Sequence, residues 1–322
     1  MNADGSIRLL ALGGTISMME REGGAVPALG AADLASFCDS IVSWEDVSLV
    51  GGSEVTFGLL RHLADRIRNA FANGTTAVVV TLGTDAIEET ASWLAYCGPW
   101  DRPIIVTGSM LPGNRTDSDA RANLCDSIAA ARSAVTISLG NEPLVVFAGR
   151  IYIGREVLKM SGVERTAFDA PGRGPVGAVL AGVPKWYRTV TTPLVTVGPP
   201  LGPVPHVPIV TASLDDDGWL LSAASDHYPA LIVAGNGAGN LPPLQAEAAV
   251  RASRKGKLVV VVSRAPDALT APLYAYPGGS ATLKEAGVAL ASDLTPHRAR
   301  LLVGLALSRG LSAAEIARLV DH

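Results

Sequence analysis

Two stretches decide how this chain folds: Ile7–Ser17 (IRLLALGGTIS) and Ala77–Ala91 (AVVVTLGTDAIEETA). Each begins as an apolar run typical of a buried strand, reaches a glycine turn, and continues into a threonine. Thr15 follows the first run, and Thr84 follows the second with Asp85 directly after it. Ligands of open parallel α/β sheets bind at the carboxyl ends of the strands. Two hydroxyls at such ends, one beside a carboxylate, indicate nucleophilic chemistry rather than cofactor binding.

Strand-like and helix-like segments alternate along the chain. The predicted strands of the first half are Ile7–Leu12, Val47–Val50, Ala77–Thr81, Pro103–Thr107 and Pro143–Phe147. Between them, a helix is predicted from the i, i+3/i+4 spacing of apolar residues between Leu59 and Phe71, and two more at Asp85–Tyr96 and Asp119–Ala134. Continuous apolar strands with short connections predict an open, mostly parallel sheet with flanking helices.

A proline-rich stretch interrupts this alternation and is predicted to be a surface linker. We therefore predict a larger N-terminal α/β catalytic domain over residues 1–190, a linker over residues 191–206 and a smaller C-terminal α/β domain over residues 207–322. The predicted elements of the smaller domain are strands at Val207–Thr211, Ala230–Ala234 and Lys257–Val262, and helices near Ala246–Ser253, Pro296–Leu307 and Ser312–Val320.

Composition excludes several classes of protein. The net charge is −4, 48% of residues are apolar, and the charges are interspersed without a basic cluster, so nucleic acid is not a predicted partner. No apolar run approaches the about 20 residues of a membrane helix, and the amino terminus lacks the features of a secretory signal. Cys38, Cys97 and Cys125 are odd in number and widely spaced, which predicts reduced thiols in a cytoplasmic protein.

The motifs for common cofactors are missing from the sequence. There is no phosphate loop, no dinucleotide fingerprint and no metal-binding spacing among the histidines, so neither a cofactor nor a metal is predicted. A hydroxyl nucleophile then needs a base other than histidine, and an uncharged lysine is the leading candidate. Lys159 follows a predicted strand pair and could point back to the sheet's carboxyl edge. The competing interpretation makes Lys159 a surface residue and makes Thr84 and Asp85 helix caps.

These motifs, in this order, resemble the bacterial-type L-asparaginase and glutaminase-asparaginase family over nearly the whole chain. The segments that carry the resemblance are Leu12–Ile16 (LGGTI), Thr81–Ala91 (TLGTDAIEETA), Gly154–Lys159 (GREVLK), Gly51–Glu54 (GGSE), Gly108–Pro112 (GSMLP), Asp119 with Asn123, and Gly237–Leu241 (GAGNL). The two threonine motifs are the specific ones. The resemblance implies an amidohydrolase that converts L-asparagine to L-aspartate and ammonia.

The catalytic residues implied by the resemblance are Thr15, Thr84, Asp85 and Lys159. Thr15 resembles the family's primary nucleophile. Thr84, Lys159 and Asp85 resemble its hydrogen-bonded second set, in which the lysine activates or orients the threonine. The order in which the two threonines act stays open at this stage.

The substrate-binding residues implied by the resemblance are Gly14, Ser53, Glu54, Gly83, Ser109 and Asn240. Ser53 is expected to bind the α-carboxylate of an amino-acid amide, and Glu54 together with Asp85 its α-ammonium group. Ser109 stands where the family has a small residue beside the amide. Asn240 matches a residue that reaches a neighbouring subunit's site, which implies a homotetramer built as a dimer of dimers.

One departure from the family keeps other functions open. Relatives carry a tyrosine on the mobile loop after the first threonine, and Met18–Gly30 contains none. An amidase for another small amide, such as glutamine or a D- or N-substituted relative, is therefore an alternative. A catalytically silent amino-acid-binding homologue is a third reading, against which the presence of Thr15, Thr84 and Lys159 argues.

Overall fold

The computed structural model of the chain describes residues 6–38, 43–136, 142–189 and 195–321. The chain divides between Thr196 and Val197 into two compact units. Residues 191–194 of the predicted linker lie outside the described residues, and the predicted domain limits stay a prediction. No helix within the described ranges is long and apolar enough to cross a membrane.

The first unit contains twelve described strands and four helices, bounded as follows. The strands are β1 Ile7–Gly13, β2 Met18–Arg21, β3 Gly24–Pro27, β4 Ser43–Val50, β5 Ala77–Thr81, β6 Ile104–Thr107, β7 Leu144–Phe147, β8 Arg150–Ile153, β9 Leu158–Lys159, β10 Phe168–Asp169, β11 Gly177–Leu180 and β12 Val183–Trp186. The helices are α1 Ala31–Ala35, α2 Phe57–Ala72, α3 Ile87–Cys97 and α4 Ala120–Thr136.

The second unit follows the same alternation on a smaller scale. Its described strands are β13 Ile209–Thr211, β14 Ala230–Gly235, β15 Leu258–Ser263 and β16 Ala289–Leu290. Its described helices are α5 Trp219–His227, α6 Pro243–Arg254, α7 Ser280–Glu285, α8 Pro296–Ser308 and α9 Ala313–Val320. The four strands form one parallel sheet in the order β13-β14-β15-β16. This arrangement confirms the predicted smaller α/β domain.

The large sheet of the first unit has eight strands in the order β12-β11-β8-β7-β6-β5-β1-β4. The five strands from β7 to β4 are parallel to one another. The remaining three pair antiparallel at the other side of the sheet. The predicted open, mostly parallel sheet with flanking helices is therefore confirmed.

Strands that are buried on both faces of the sheet can be predicted from their apolar sequence. All five residues of β5 are buried. Val79 belongs to a core cluster with Leu124 and Ile128 of α4 on one face of the sheet, while Val80 next to it is fully buried as well. The edge strand β4 is only half-buried, so the apolar pattern predicted its second half and missed its polar beginning at Ser43.

Short 3-10 turns follow β1, β4 and β5 at one edge of the sheet. They span Thr15–Ser17, Gly52–Glu54 and Thr84–Ala86. The chain passes from β1 to β4 on one side and then crosses to β5 on the other side of β1. Such a change of direction is the usual position of ligand sites in open α/β sheets, and it makes these three turns neighbours.

Glycines allow the three turns to come into backbone contact. A Cβ atom on Gly14, whose φ is +79°, would overlap the backbone of Gly83. A Cβ atom on Gly83 would lie 2.6 Å from the backbone nitrogen of Gly52. Any other residue at Gly14 or Gly83 would push the turns apart, because such short distances lie well inside van der Waals contact.

The prediction of three reduced thiols is wrong for two of them. Cys38 and Cys125 form a disulfide with their Cα atoms 5.8 Å apart, and Cys97 is buried and takes no part in a disulfide among the described residues. The two bonded cysteines are 87 residues apart in sequence. Their spacing gives no sign that the end of α1 lies against α4, because only the folded sheet brings these segments together. The bond restricts the unfolded chain over this long loop.

The first prediction concerns the contact between Gly14 and Gly83. Replacing Gly14 with alanine adds a Cβ clash to an unfavourable positive φ, so we expect Gly14→Ala to lower the free energy of unfolding by about 2–5 kcal/mol. Gly74 is the matched control, because its φ is +90° and a Cβ there meets no atom within 4 Å. Gly74→Ala should cost only about 1–2 kcal/mol. Equal costs in denaturant unfolding would contradict the contact.

The second prediction concerns Glu45 on β4. Its carboxylate lies 2.6 Å from Arg8 and 2.5 Å from Arg66. Partial burial raises the pKa of Glu45, but hydrogen bonds and charge from Arg66 and Arg8 outweigh it and hold the pKa below its ordinary value. A lowered pKa stabilises the fold above the carboxyl's ordinary pKa, and this stabilisation is lost as the pH falls.

Glu45→Gln should therefore lower the free energy of unfolding by about 1 kcal/mol at neutral pH. The difference from the wild type should disappear in acid, where both side chains are uncharged. Denaturant titrations at neutral pH and below the carboxyl's titration range measure both values. A difference that persists in acid would show that packing, rather than charge, is responsible.

Candidate active site

Lys159 forms hydrogen bonds with two of the other predicted catalytic residues. Its Nζ atom lies 2.9 Å from Thr84 Oγ1 and 2.6 Å from Asp85 Oδ1. Thr84 is buried, the Lys159 side chain is 17% exposed, and the Asp85 side chain is 68% exposed. The structure thus forms one hydrogen-bonded set in which the hydroxyl lies inside and the carboxylate faces solvent.

The alternative in which Thr84 and Asp85 cap a helix does not hold. Helix α3 begins at Ile87, its N-cap residue is Ala86, and no side chain caps it. Thr84 and Asp85 instead occupy the 3-10 turn before the helix. Both side chains instead form hydrogen bonds with the amine of Lys159.

Thr15 begins the turn after β1 and is half-buried. The turn is closed by the bond from the Ser17 backbone N–H to the Gly14 carbonyl, which measures 2.9 Å. The predicted loop Met18–Gly30 follows directly, and β2 and β3 within it form an antiparallel hairpin. The hairpin is anchored at its base, where the Gly113 N–H donates to the Met18 carbonyl at 3.0 Å.

Ser53 and Glu54 lie together on the turn after β4, and both are exposed. Glu54 accepts a hydrogen bond from the Gly51 backbone N–H at 2.6 Å, so its carboxylate also closes its own turn. A Cβ atom on Gly52 would lie 3.2 Å from Asp85 Cβ. Ser53 and Glu54 are therefore next to the turn that carries Asp85, which brings the predicted α-carboxylate and α-ammonium ligands into one region.

Ser109 is fully buried after β6, and its hydroxyl donates to the Leu111 carbonyl at 2.7 Å. Asp119 fixes this loop by accepting hydrogen bonds from the backbone N–H groups of Met110 and Leu111, both at 3.0 Å. Asn123 donates to the same carboxylate at 2.9 Å. No role for Asp119 and Asn123 was predicted, although their i, i+4 spacing at the start of α4 was a usable signal.

Asn240 belongs to the second unit, whereas the other predicted site residues belong to the first. Its Oδ1 atom accepts a hydrogen bond from the Ser280 N–H at 3.1 Å. It lines a cavity of about 770 Å³ together with Asn236, Asp216 and Tyr276. Its described contacts therefore lie in its own unit.

Glu88 is a further residue that sequence reasoning missed. Its Oε2 atom accepts the backbone N–H of Lys159 at 2.7 Å. Glu88 follows Thr84 by four residues inside the second threonine motif, but its partner lies 71 residues further along the chain. Only the folded structure shows that the backbone N–H and the side-chain amine of Lys159 both contact this motif.

The arrangement in the first unit suits acyl transfer. A hydroxyl in contact with a lysine amine can become a nucleophile once the amine is uncharged, because the amine then accepts its proton. The backbone N–H groups of strand-end turns can stabilise the negative charge that develops on an attacked carbonyl oxygen. Two carboxylates and a serine at the rim can hold a zwitterionic group.

Comparison with known proteins supports this reading. The sequence model of the asparaginase N-terminal domain matches residues 6–192, and that of the glutaminase/asparaginase C-terminal domain matches residues 206–320. A "Probable L-asparaginase" from Deinococcus radiodurans is 37% identical over 264 residues, which cover 80% of this chain and 78% of that protein.

Two further relatives match the chain over almost its full length. L-asparaginase 2 of Escherichia coli is 27% identical over 333 residues, covering 98% of this chain and 93% of that protein. The crystal structure of a "Probable Cytoplasmic L-asparaginase" from Campylobacter jejuni matches with a TM-score of 0.86 and 27% identity, covering 98% and 99% of the two chains. On these matches the chain belongs to the bacterial-type L-asparaginase family.

Proposed function

We propose that this protein hydrolyses L-asparagine to L-aspartate and ammonia by way of a threonine ester. The observation that carries the proposal is the contact of Lys159 with both Thr84 and Asp85, at 2.9 and 2.6 Å. The names of the Deinococcus, Escherichia and Campylobacter relatives, all L-asparaginases, support the choice of substrate.

Both threonines take part in the proposed reaction. Thr15 is the primary nucleophile, and Thr84 with Lys159 and Asp85 handles protons. As its oxygen bonds to the amide carbon, the attacking hydroxyl passes its proton to the set formed by Thr84, Lys159 and Asp85. This set delivers a proton to the amide nitrogen as the C–N bond breaks, so that ammonia leaves. Water attacks the resulting ester, which frees L-aspartate and returns the hydroxyl proton. Asp85 stabilises the ammonium form of Lys159 that arises when the lysine takes up a proton.

Substrate recognition uses the exposed rim of the same turns. Asp85 and Glu54 accept hydrogen bonds from the α-ammonium group, and Ser53 donates one to the α-carboxylate. The closeness of Gly52 to Asp85 supports this assignment, because it puts the two turns within reach of one α-carbon. Gly14 and Gly83 contribute backbone groups, and Ser109 lies beside the side-chain amide.

A second candidate, hydrolysis of other small amides, is favoured by the hairpin. Its residues Met18–Pro27 contain no tyrosine, and the whole of β3 is exposed. Hydrolysis and binding should be measured in parallel on L-asparagine, L-glutamine, D-asparagine and N-substituted asparagines. Hydrolysis is followed as ammonia release, or as release of the substituted amine where the amide nitrogen carries a substituent. We expect the highest kcat/KM on L-asparagine. Binding of L-asparagine without ammonia release would contradict the proposed enzymatic activity and indicate an amino-acid-binding protein.

We also propose that the protein is a homotetramer in which Asn240 completes a neighbouring subunit's site. Large exposed apolar side chains on the second unit support an interface, since Trp219 is 69% exposed and Leu244 53% exposed. Leu244 and Tyr276 line the same cavity as Asn240. A second subunit placed over this surface would cover these groups.

A cytoplasmic location is a further proposal. The name of the Campylobacter relative supports it. The disulfide between Cys38 and Cys125 argues the other way, because such bonds are typical of oxidising compartments. Cell fractionation with thiol labelling decides between the two.

The third prediction concerns Lys159. Lys159→Met keeps the aliphatic stem and deletes the amine, so kcat on L-asparagine should fall by at least about 10³-fold. The affinity for the product L-aspartate should stay within about threefold of wild type, measured by calorimetry. Thr84→Ser is the matched control that keeps a hydroxyl at the contact. Loss of aspartate binding with little change in kcat would make Lys159 a substrate ligand.

The fourth prediction concerns Asn240 and uses complementation. Asn240→Ala and Lys159→Met should each be nearly inactive alone, but a mixed dimer has one site with an intact lysine and an intact partner asparagine. Co-expression with random pairing should therefore restore about a quarter of wild-type activity. No recovery in purified mixed assemblies would show that Asn240 acts within its own subunit or not at all.

A further inference from the structure

We propose that Glu88 is a positioning residue for the reaction, which holds the backbone of Lys159 so that its amine meets Thr84. This inference rests on the proposed function, because it assigns Lys159 a part in proton transfer. The contact that carries it is the 2.7 Å hydrogen bond from the Lys159 backbone N–H to Glu88 Oε2. Because this hydrogen bond is to the Lys159 main chain, we assign Glu88 an effect on the reaction that passes through Lys159.

The strand that carries Lys159 needs an additional attachment. Strand β9 has only two residues and pairs with β10, where Phe168 lies opposite Lys159. The next N–H group, on Met160, donates to the Ala167 carbonyl at 2.6 Å. Because successive N–H groups of a strand point in opposite directions, the N–H of Lys159 points away from β10. Glu88 is the partner that satisfies this group.

One short segment therefore holds Lys159 at two points. Thr84 and Asp85 bind the amine, and Glu88 binds the main chain. These three residues lie within five positions of each other, on the 3-10 turn and the first turn of α3. The segment is continuous and its turn is in contact with the other glycine turns, so the amine is placed relative to the hydroxyl by a rigid unit. A displacement of about 1 Å in such a geometry can cost about 100-fold in rate.

If Glu88 only stabilised the helix through its charge, the variants would behave differently. Glu88 and Glu89 both lie in the first turn of α3, where the helix dipole favours negative charge. If charge alone mattered, glutamine at position 88 would be as harmful as alanine, and Glu89→Ala would have a similar effect. If the hydrogen bond matters, glutamine retains an acceptor oxygen and rescues the enzyme.

The test compares Glu88→Ala, Glu88→Gln and Glu89→Ala in the full-length protein. We measure kcat and KM for ammonia release from L-asparagine, and hydrogen exchange of the Lys159 amide by NMR. Glu88→Ala should lower kcat about 10- to 100-fold with KM within about twofold, and should lose protection of the Lys159 amide. Glu88→Gln should keep protection and stay within about threefold of the wild-type kcat. Glu89→Ala should leave the Lys159 amide protected.

Three results would overturn the inference: Glu88→Gln as slow as Glu88→Ala, a protected Lys159 amide in Glu88→Ala, or lost protection with unchanged kcat. The exchange measurement needs no turnover, so it separates this inference from the proposed function. A wild-type protein that releases no ammonia would contradict the proposed function. In that case loss of Lys159 amide protection in Glu88→Ala still supports the attachment, and retained protection refutes it.

Discussion

The site depends on the backbone contact between the glycine turns that follow β1, β4 and β5. A Cβ atom on Gly14 would overlap the Gly83 backbone, and a Cβ atom on Gly83 would overlap the Gly52 backbone. Parallel pairing brings the strand ends to one edge, but only the absence of side chains lets the turns touch. As a result, residues from three separate segments can contact one small substrate.

The candidate site has a buried side and an exposed side. Thr84 is buried and lies beside the largely buried Lys159 side chain, whereas Asp85, Ser53 and Glu54 are exposed. A substrate would therefore enter with its amide toward the hydroxyl and the lysine, and leave its charged α-carbon groups at the rim. We propose that the buried interior serves reaction at a carbonyl and that the exposed rim serves recognition of a zwitterion. The hairpin Met18–Pro27 directly follows the turn of Thr15, and we propose that it covers the amide.

The parallel strands could be predicted from the sequence because burial on both faces leaves continuous apolar runs such as Ala77–Thr81. The edge strand β4 was predicted only in part, since half of it faces solvent and carries polar residues. The disulfide of Cys38 and the attachment of Lys159 to Glu88 could not be predicted, because each joins segments at least 71 residues apart. The roles of the site residues were inferred from the family resemblance. Local sequence patterns alone predicted only the two threonines and their position at the ends of strands.

The most direct test of this account is a crystal structure of the Lys159→Met variant soaked with L-asparagine. We expect an intact substrate with its α-ammonium group about 3 Å from the carboxylates of Asp85 and Glu54, and its α-carboxylate at Ser53. The side-chain amide should face Thr15 and Thr84. A substrate bound in the opposite direction, with its α-carboxylate toward Thr84, or bound away from the three turns, would contradict the account.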